Sequence, residues 1–196
     1  MIKRSAGRIG SHRMDAIEAL LGRASCPKVT APGPTPDQLD VILRAGSRAP
    51  DHGRMQPFRF LVVEGEARNR LGELLAAALG NREPEAAASV LDSERAKALR
   101  APTIVAVAAA LRPNPKVPDI EQVLAAGAAC QNMMLAAYAM GLGVAWRTGA
   151  AAYDIGVKAG LGFDASDAIV GFLYIGTPAG TPPQRTVDVA ALTRRL

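Results

Sequence analysis

The chain has 196 residues, 49% hydrophobic and 21% charged, an ordinary balance for a folded domain and enough for one well-buried core. Its net charge of +5 is concentrated at the ends, in Lys3, Arg4, Arg8 and Arg13 and in Arg194 and Arg195, so the near-neutral middle argues against a nucleic-acid-binding protein. The two cysteines, Cys26 and Cys130, form no CxxC, and His12 and His52 are the only histidines, which argues against a metal site and fits free thiols in a reducing, cytoplasmic setting.

Residues 1–13 lack the apolar run of a signal peptide and are read as a flexible basic arm outside the fold. Residues 14–23 have helical spacing through Met14, Ile17, Leu20 and Leu21. Prolines 27, 32 and 34 break that pattern. A second helix then starts at Thr35, with Pro36 in the first turn and Gln38 completing a capping box. Leu39, Ile42 and Leu43 form its buried stripe, and it ends before Pro50. Residues 58–63 form a dense apolar run, the mark of a strand.

Residues 66–79 return to helical spacing and close at Gly80-Asn81. Residues 83–99 predict a charged, exposed helix, the segment expected to move over or cover a site. Residues 103–111 predict a buried strand, followed by a Pro-rich loop over 112–118. Residues 119–140 are apolar on all sides. Gln122, Gln131 and Asn132 interrupt them, so no stretch reaches the ~20 residues of a membrane span. A helix of this kind is buried in a core or a subunit interface. Further strands are expected at 144–147 and 168–175, with a helix over 151–161 between them and an extended tail from residue 179. No linker or repeat divides the chain, so residues 14–196 are taken as a single α/β layered domain.

No GxGxxG follows a predicted strand, and neither a Walker sequence nor a GxSxG elbow occurs. Three segments could carry chemistry. Arg23-Ala24-Ser25 ends the first helix, where a guanidinium and a nearby hydroxyl suit a phosphate; a basic helix terminus that complements the helix dipole would look the same. Arg48-Ala49-Pro50-Asp51-His52-Gly53-Arg54-Met55-Gln56-Pro57-Phe58 packs polar and special-backbone residues between a helix and a strand. Trp146-Arg147-Thr148-Gly149 holds the single Trp, which could anchor a core or wall a planar ring.

Together with Ile169-Val170-Gly171-Phe172-Leu173-Tyr174-Ile175-Gly176-Thr177-Pro178 at the last strand, these segments resemble the nitroreductase family, within it the small YdjA-type NAD(P)H nitroreductases. The resemblance runs from residue 14 to about residue 178. It implies an α+β nitroreductase-like fold with a central mixed sheet flanked by helices, in an intertwined homodimer with FMN at the interface. It also implies that Arg23, Ala24, Ser25, Arg48, His52, Trp146, Arg147 and Thr148 contact FMN, with Arg48 and His52 supplied across the interface. Ala136, Ala137, Tyr138, Ala139, Met140 and Gly141 would match a stretch that binds the nicotinamide nucleotide.

Two departures stand out. Ala24 occupies the place of a second arginine, and Pro27 the place of a basic residue near the flavin, for which Lys28 is a substitute. Arg185 is the candidate for a C-terminal phosphate contact. The implied activity is ping-pong electron transfer from NADH or NADPH to a nitroaromatic, quinone-like or other small organic acceptor. FMN carries the chemistry, so no catalytic side chain and no metal are expected, and no membrane or nucleic-acid partner. The same fold could instead support enoate or semialdehyde reduction, dehalogenation, or non-catalytic flavin binding.

Overall fold

The computed structural model describes residues 14–196; the arm expected over residues 1–13 lies outside them. The helices are α1 (Ala16–Gly22), α2 (Pro36–Gly46), α3 (Ala67–Arg82), α4 (Ala88–Ala96), α5 (Asp119–Ala139) and α6 (Ile155–Gly160). The strands are β1 (Val29–Thr30), β2 (Phe58–Glu64), β3 (Thr103–Ala109), β4 (Gly143–Arg147) and β5 (Ala168–Pro178).

The sheet runs β1-β5-β3-β2, with β4 also paired to β5. Every pairing is antiparallel, which corrects the expected mixed sheet. The reason lies in where β5 inserts. The α5 crossover makes β3 and β4 run the same way, but both pair with β5, which runs opposite to them, so no two parallel strands become neighbours.

All seven residues of β3 are buried, because helices cover both faces of the sheet. On one face Ile104, Ala106 and Phe172 pack with Leu71 and Leu75 of α3 and Val157 of α6. On the other, Val105, Val107 and Leu173 pack with Ile42 of α2 and Cys130 and Met133 of α5. Alternate residues of one strand thus feed two separate cores.

The α2 capping box forms as its sequence dictates: Gln38 N donates to Thr35 Oγ1 at 3.3 Å and Thr35 N to Gln38 Oε1 at 2.9 Å. In α5 the polar interruptions are structural. Gln122, 1% exposed, takes the Arg112 N–H at 3.0 Å and donates to the Arg112 carbonyl at 2.9 Å, which ties down the Pro-rich loop. Asn132 Nδ2 donates to the Ala45 carbonyl at 3.2 Å, joining α5 to α2. No helix among the described residues is long and apolar enough to cross a membrane.

Three local expectations change. The helix over 151–161 splits into a 3-10 turn, Ala150–Tyr153, and α6. Asp154 causes the break by capping α6, its Oδ1 accepting from Val157 N at 3.0 Å. The charged helix over 83–99 shortens to α4 and a 3-10 turn, Lys97–Leu99. The two-residue strand β1 is too short to leave a period in the sequence.

Candidate functional site

Helix α1 ends at Arg23, whose N–H donates to the Ala19 carbonyl at 3.1 Å. The chain then turns extended and runs beside β4, with Cys26 N donating to the Val144 carbonyl at 2.9 Å. Gly143 makes this approach possible, since a Cβ there would sit 2.9 Å from Cys26 Sγ. Arg147, at the end of β4, donates from Nη2 to the Pro27 carbonyl at 3.2 Å. The first and third sequence segments therefore lie side by side. Ser25 and Thr148 are both exposed there. The Arg23 Nε is enclosed and has no hydrogen-bond partner among the described residues. A buried guanidinium donor left unpaired costs about 1–3 kcal/mol, and it marks a place where an acceptor belongs.

The indole of Trp146 is fixed by β5. Its Nε1 donates to the Val170 carbonyl at 3.2 Å, at the β-bulge where the β3–β5 register shifts. Gly171 leaves room for it: a Cβ there would lie 2.2 Å from the indole nitrogen. The Arg147 guanidinium stands 5.7 Å from the centre of the Tyr174 ring, a cation–π distance.

Trp146, Arg147, Thr148 and Gly149 form one wall of a cavity of about 600 Å³, within the range of small-molecule sites. Leu71, Leu75, Leu79 and Phe172 supply its apolar lining. Arg82, Glu94, Lys97 and Arg100 supply charge. Arg82 pairs with Asp154 at 3.2 Å, and Lys97 pairs with Glu94. The charged segment after α3 thus contributes Glu94 of α4 and Lys97 of the following turn to the cavity lining. These four residues escaped the sequence reading. Their signal was a charged helix next to a leucine-rich one, a pattern shared with any solvated helix pair.

The second segment lies elsewhere. Arg48 lines a groove with Leu20 of α1 and Asn132, Leu135 and Ala136 of α5. His52 opens a 3-10 turn, and its Nδ1 meets the Glu121 carboxylate of α5. Asp51 fastens this loop: its carboxylate accepts from Met55 N at 3.1 Å and from Gln56 N at 2.7 Å. That clamp holds Arg54 and Gln56 at φ of 53° and 49°, a left-handed backbone rare for residues other than Gly, Asn and Asp. Within one chain no hydrogen bond, ion pair or shared cavity joins Arg48 or His52 to Arg23, Ser25 or Thr148 among the described residues.

The 136–141 stretch is part packed and part open, with Ala136 and Ala139 lining the groove beside Arg48. Ala137 is fully enclosed, so it has no surface to offer a nucleotide. Tyr138 places its hydroxyl against Gly22, 2.7 Å from where a Cβ would be. Gly141 ends the helix at a φ of 79°, and with Ala139 is exposed. Farther on, Gln184 Nε2 donates to the Gly22 carbonyl at 2.6 Å, which brings the tail carrying Arg185 back beside Arg23.

Residues 20–177 match the model of the nitroreductase family. Over 168 residues the chain is 45% identical to the Escherichia coli protein described as "Putative NAD(P)H nitroreductase YdjA", covering 84% of this chain and 89% of that one. A solved nitroreductase-like family protein from Bacillus cereus superposes with a TM-score of 0.82 at 22% identity, covering 96% of this chain and 99% of the other. A Desulfovibrio desulfuricans nitroreductase-type protein solved in complex with FMN has a TM-score of 0.71 at 25% identity, covering 92% and 95%.

Proposed function

The chain belongs to the nitroreductase family, and from that premise we propose that it is an FMN-dependent oxidoreductase moving electrons from NADH or NADPH to a nitroaromatic, quinone-like or other small organic acceptor. The observation that carries this reading is the enclosed, unpartnered Arg23 Nε beside exposed Ser25. A phosphate there would satisfy the orphaned donor with a charge-assisted bond. Arg23 and Ser25 hold the phosphate in this reading, and main-chain groups at Ala24 complete the cradle, where a lost second guanidinium matters less. Trp146, Arg147 and Thr148 wall the ring system. When bound, FMN supplies the two-electron redox chemistry, so the protein needs no nucleophile or metal.

Arg48 and His52 of the partner subunit complete the site in a homodimer. Two exposed apolar faces favour such a pairing. On α5, Ile120 and Leu124 are 61% and 63% exposed; on α1, Ile17, Leu20 and Leu21 are 51–77% exposed. A monomer rarely leaves such surfaces bare.

Purified protein is expected to be yellow and to bleach anaerobically with NADH or NADPH. Donor and acceptor occupying one site in turn give parallel double-reciprocal lines. A colourless protein that FMN cannot reconstitute would overturn the proposal.

A further inference from the structure

Tyr174 belongs to the last-strand motif, and the flavin reading leaves it without a role. It is 7% exposed, and buried tyrosine hydroxyls usually find a partner. Among the described residues this hydroxyl has none, yet it is not sealed off, because the Arg23 Nε is the sole enclosed side-chain atom without one. Tyr174 lines the cavity. Burial pushes its phenol above the ordinary value, so it remains an O–H donor at neutral pH.

The charge around it is one-sided. Lys97 is neutralised by Glu94, and Arg82 by Asp154. Arg100 and Arg147 line the same cavity with no carboxylate partner among the described residues. Arg147 gives one N–H to the Pro27 carbonyl and keeps the rest, and the lining carboxylate, Glu94, is taken by Lys97. Two guanidiniums and a phenol hydroxyl thus make a set of donors. They face a surface of Leu71, Leu75, Leu79 and Phe172.

We propose that Tyr174, Arg100 and Arg147 form an oxyanion subsite, and that the enzyme selects acceptors with a flat apolar body and a carboxylate. The apolar body lies against the leucines, and the carboxylate takes the donors, guanidinium to carboxylate being the strong pairing. Selection of acceptors rests on the flavin reading; binding of the carboxylate does not.

The test uses 4-nitrobenzoate and its neutral analogue 4-nitrobenzamide, titrated calorimetrically into FMN-loaded and FMN-free protein. The carboxylate is expected to bind at least about tenfold more tightly than the amide. Tyr174→Phe and Arg100→Gln are each expected to weaken the carboxylate about tenfold or more, the effect of one hydrogen bond to a charged group. Amide binding, flavin content and melting temperature stay unchanged, and kcat/KM for the two acceptors follows the binding. Equal affinity for the two probes overturns the subsite, as does an unaltered Tyr174→Phe. So does one-for-one displacement of nitrobenzoate by FMN, which would make the cavity the flavin's own. A protein that binds no FMN but still prefers the carboxylate supports the subsite and overturns the flavin reading instead.

Discussion

Arg23→Met separates binding from folding, because it keeps most of the apolar stem and removes only the guanidinium. The Nε of Arg23 is enclosed and unpartnered in the protein alone. Losing it removes an unsatisfied donor, so the flavin-free protein should be no less stable than the parent. The bound state is different. A hydrogen bond to a charged group contributes about 1.5–3 kcal/mol, and a loss of about 2 kcal/mol raises the FMN Kd about thirtyfold. At FMN one hundred times the parental Kd, ligand stabilises the parent by about 2.7 kcal/mol. The same concentration stabilises the variant by about 0.9 kcal/mol. For a chain of this size the FMN-induced rise in Tm should fall from about 5–11 °C to about 2–4 °C. Thermal melts with and without FMN, together with a fluorescence titration of FMN, measure both quantities. An unchanged FMN Kd refutes the phosphate assignment. A flavin-free variant destabilised by more than about 1 kcal/mol refutes the claim that the buried donor is unsatisfied.

Gly171→Ala should cost about 1–3 kcal/mol by overpacking, because its Cβ would stand 2.2 Å from the Trp146 indole nitrogen; a shift in tryptophan emission would accompany the lower Tm, and an unshifted spectrum would count against the fixed indole. The Cys130 thiol is pushed up to about 12 from 9.0 by burial, so the fold holds that proton more tightly than the unfolded chain does. Its contribution to stability is full below about pH 9 and is lost as pH rises toward about 12, a window that denaturant melts at stepped pH would read. Leu124→Asp, at a residue 63% exposed on α5, should change the stability of one chain by less than about 0.5 kcal/mol and yet dissociate the proposed homodimer; sedimentation velocity that shows an intact dimer would move the interface elsewhere.

Local rules wrote much of this protein directly into its sequence. The capping box at Thr35 and Gln38, the apolar run of β3 and the all-round apolar α5 are each decided by residues near one another in the chain. The phosphate-suited Arg23-Ala24-Ser25 and the Trp146 segment were legible as motifs for the same reason: each fits in a few consecutive residues.

Tertiary structure decided the rest. The antiparallel sheet depends on β5 pairing with both β3 and β4, which no local period encodes. That Arg23 lies beside the end of β4, while Arg48 and His52 lie along α5, follows from packing between segments far apart in the chain, 120 residues for Arg147 and Pro27 and 69 for His52 and Glu121. The cavity is the clearest case. Its charged lining comes from α3, α4 and the turns that follow, and Tyr174 from the far end of the chain. Sequence fixes which side chains carry charge, but the free energy of a donor depends on what encloses it, and for Arg23 and Tyr174 only the packed fold sets that enclosure.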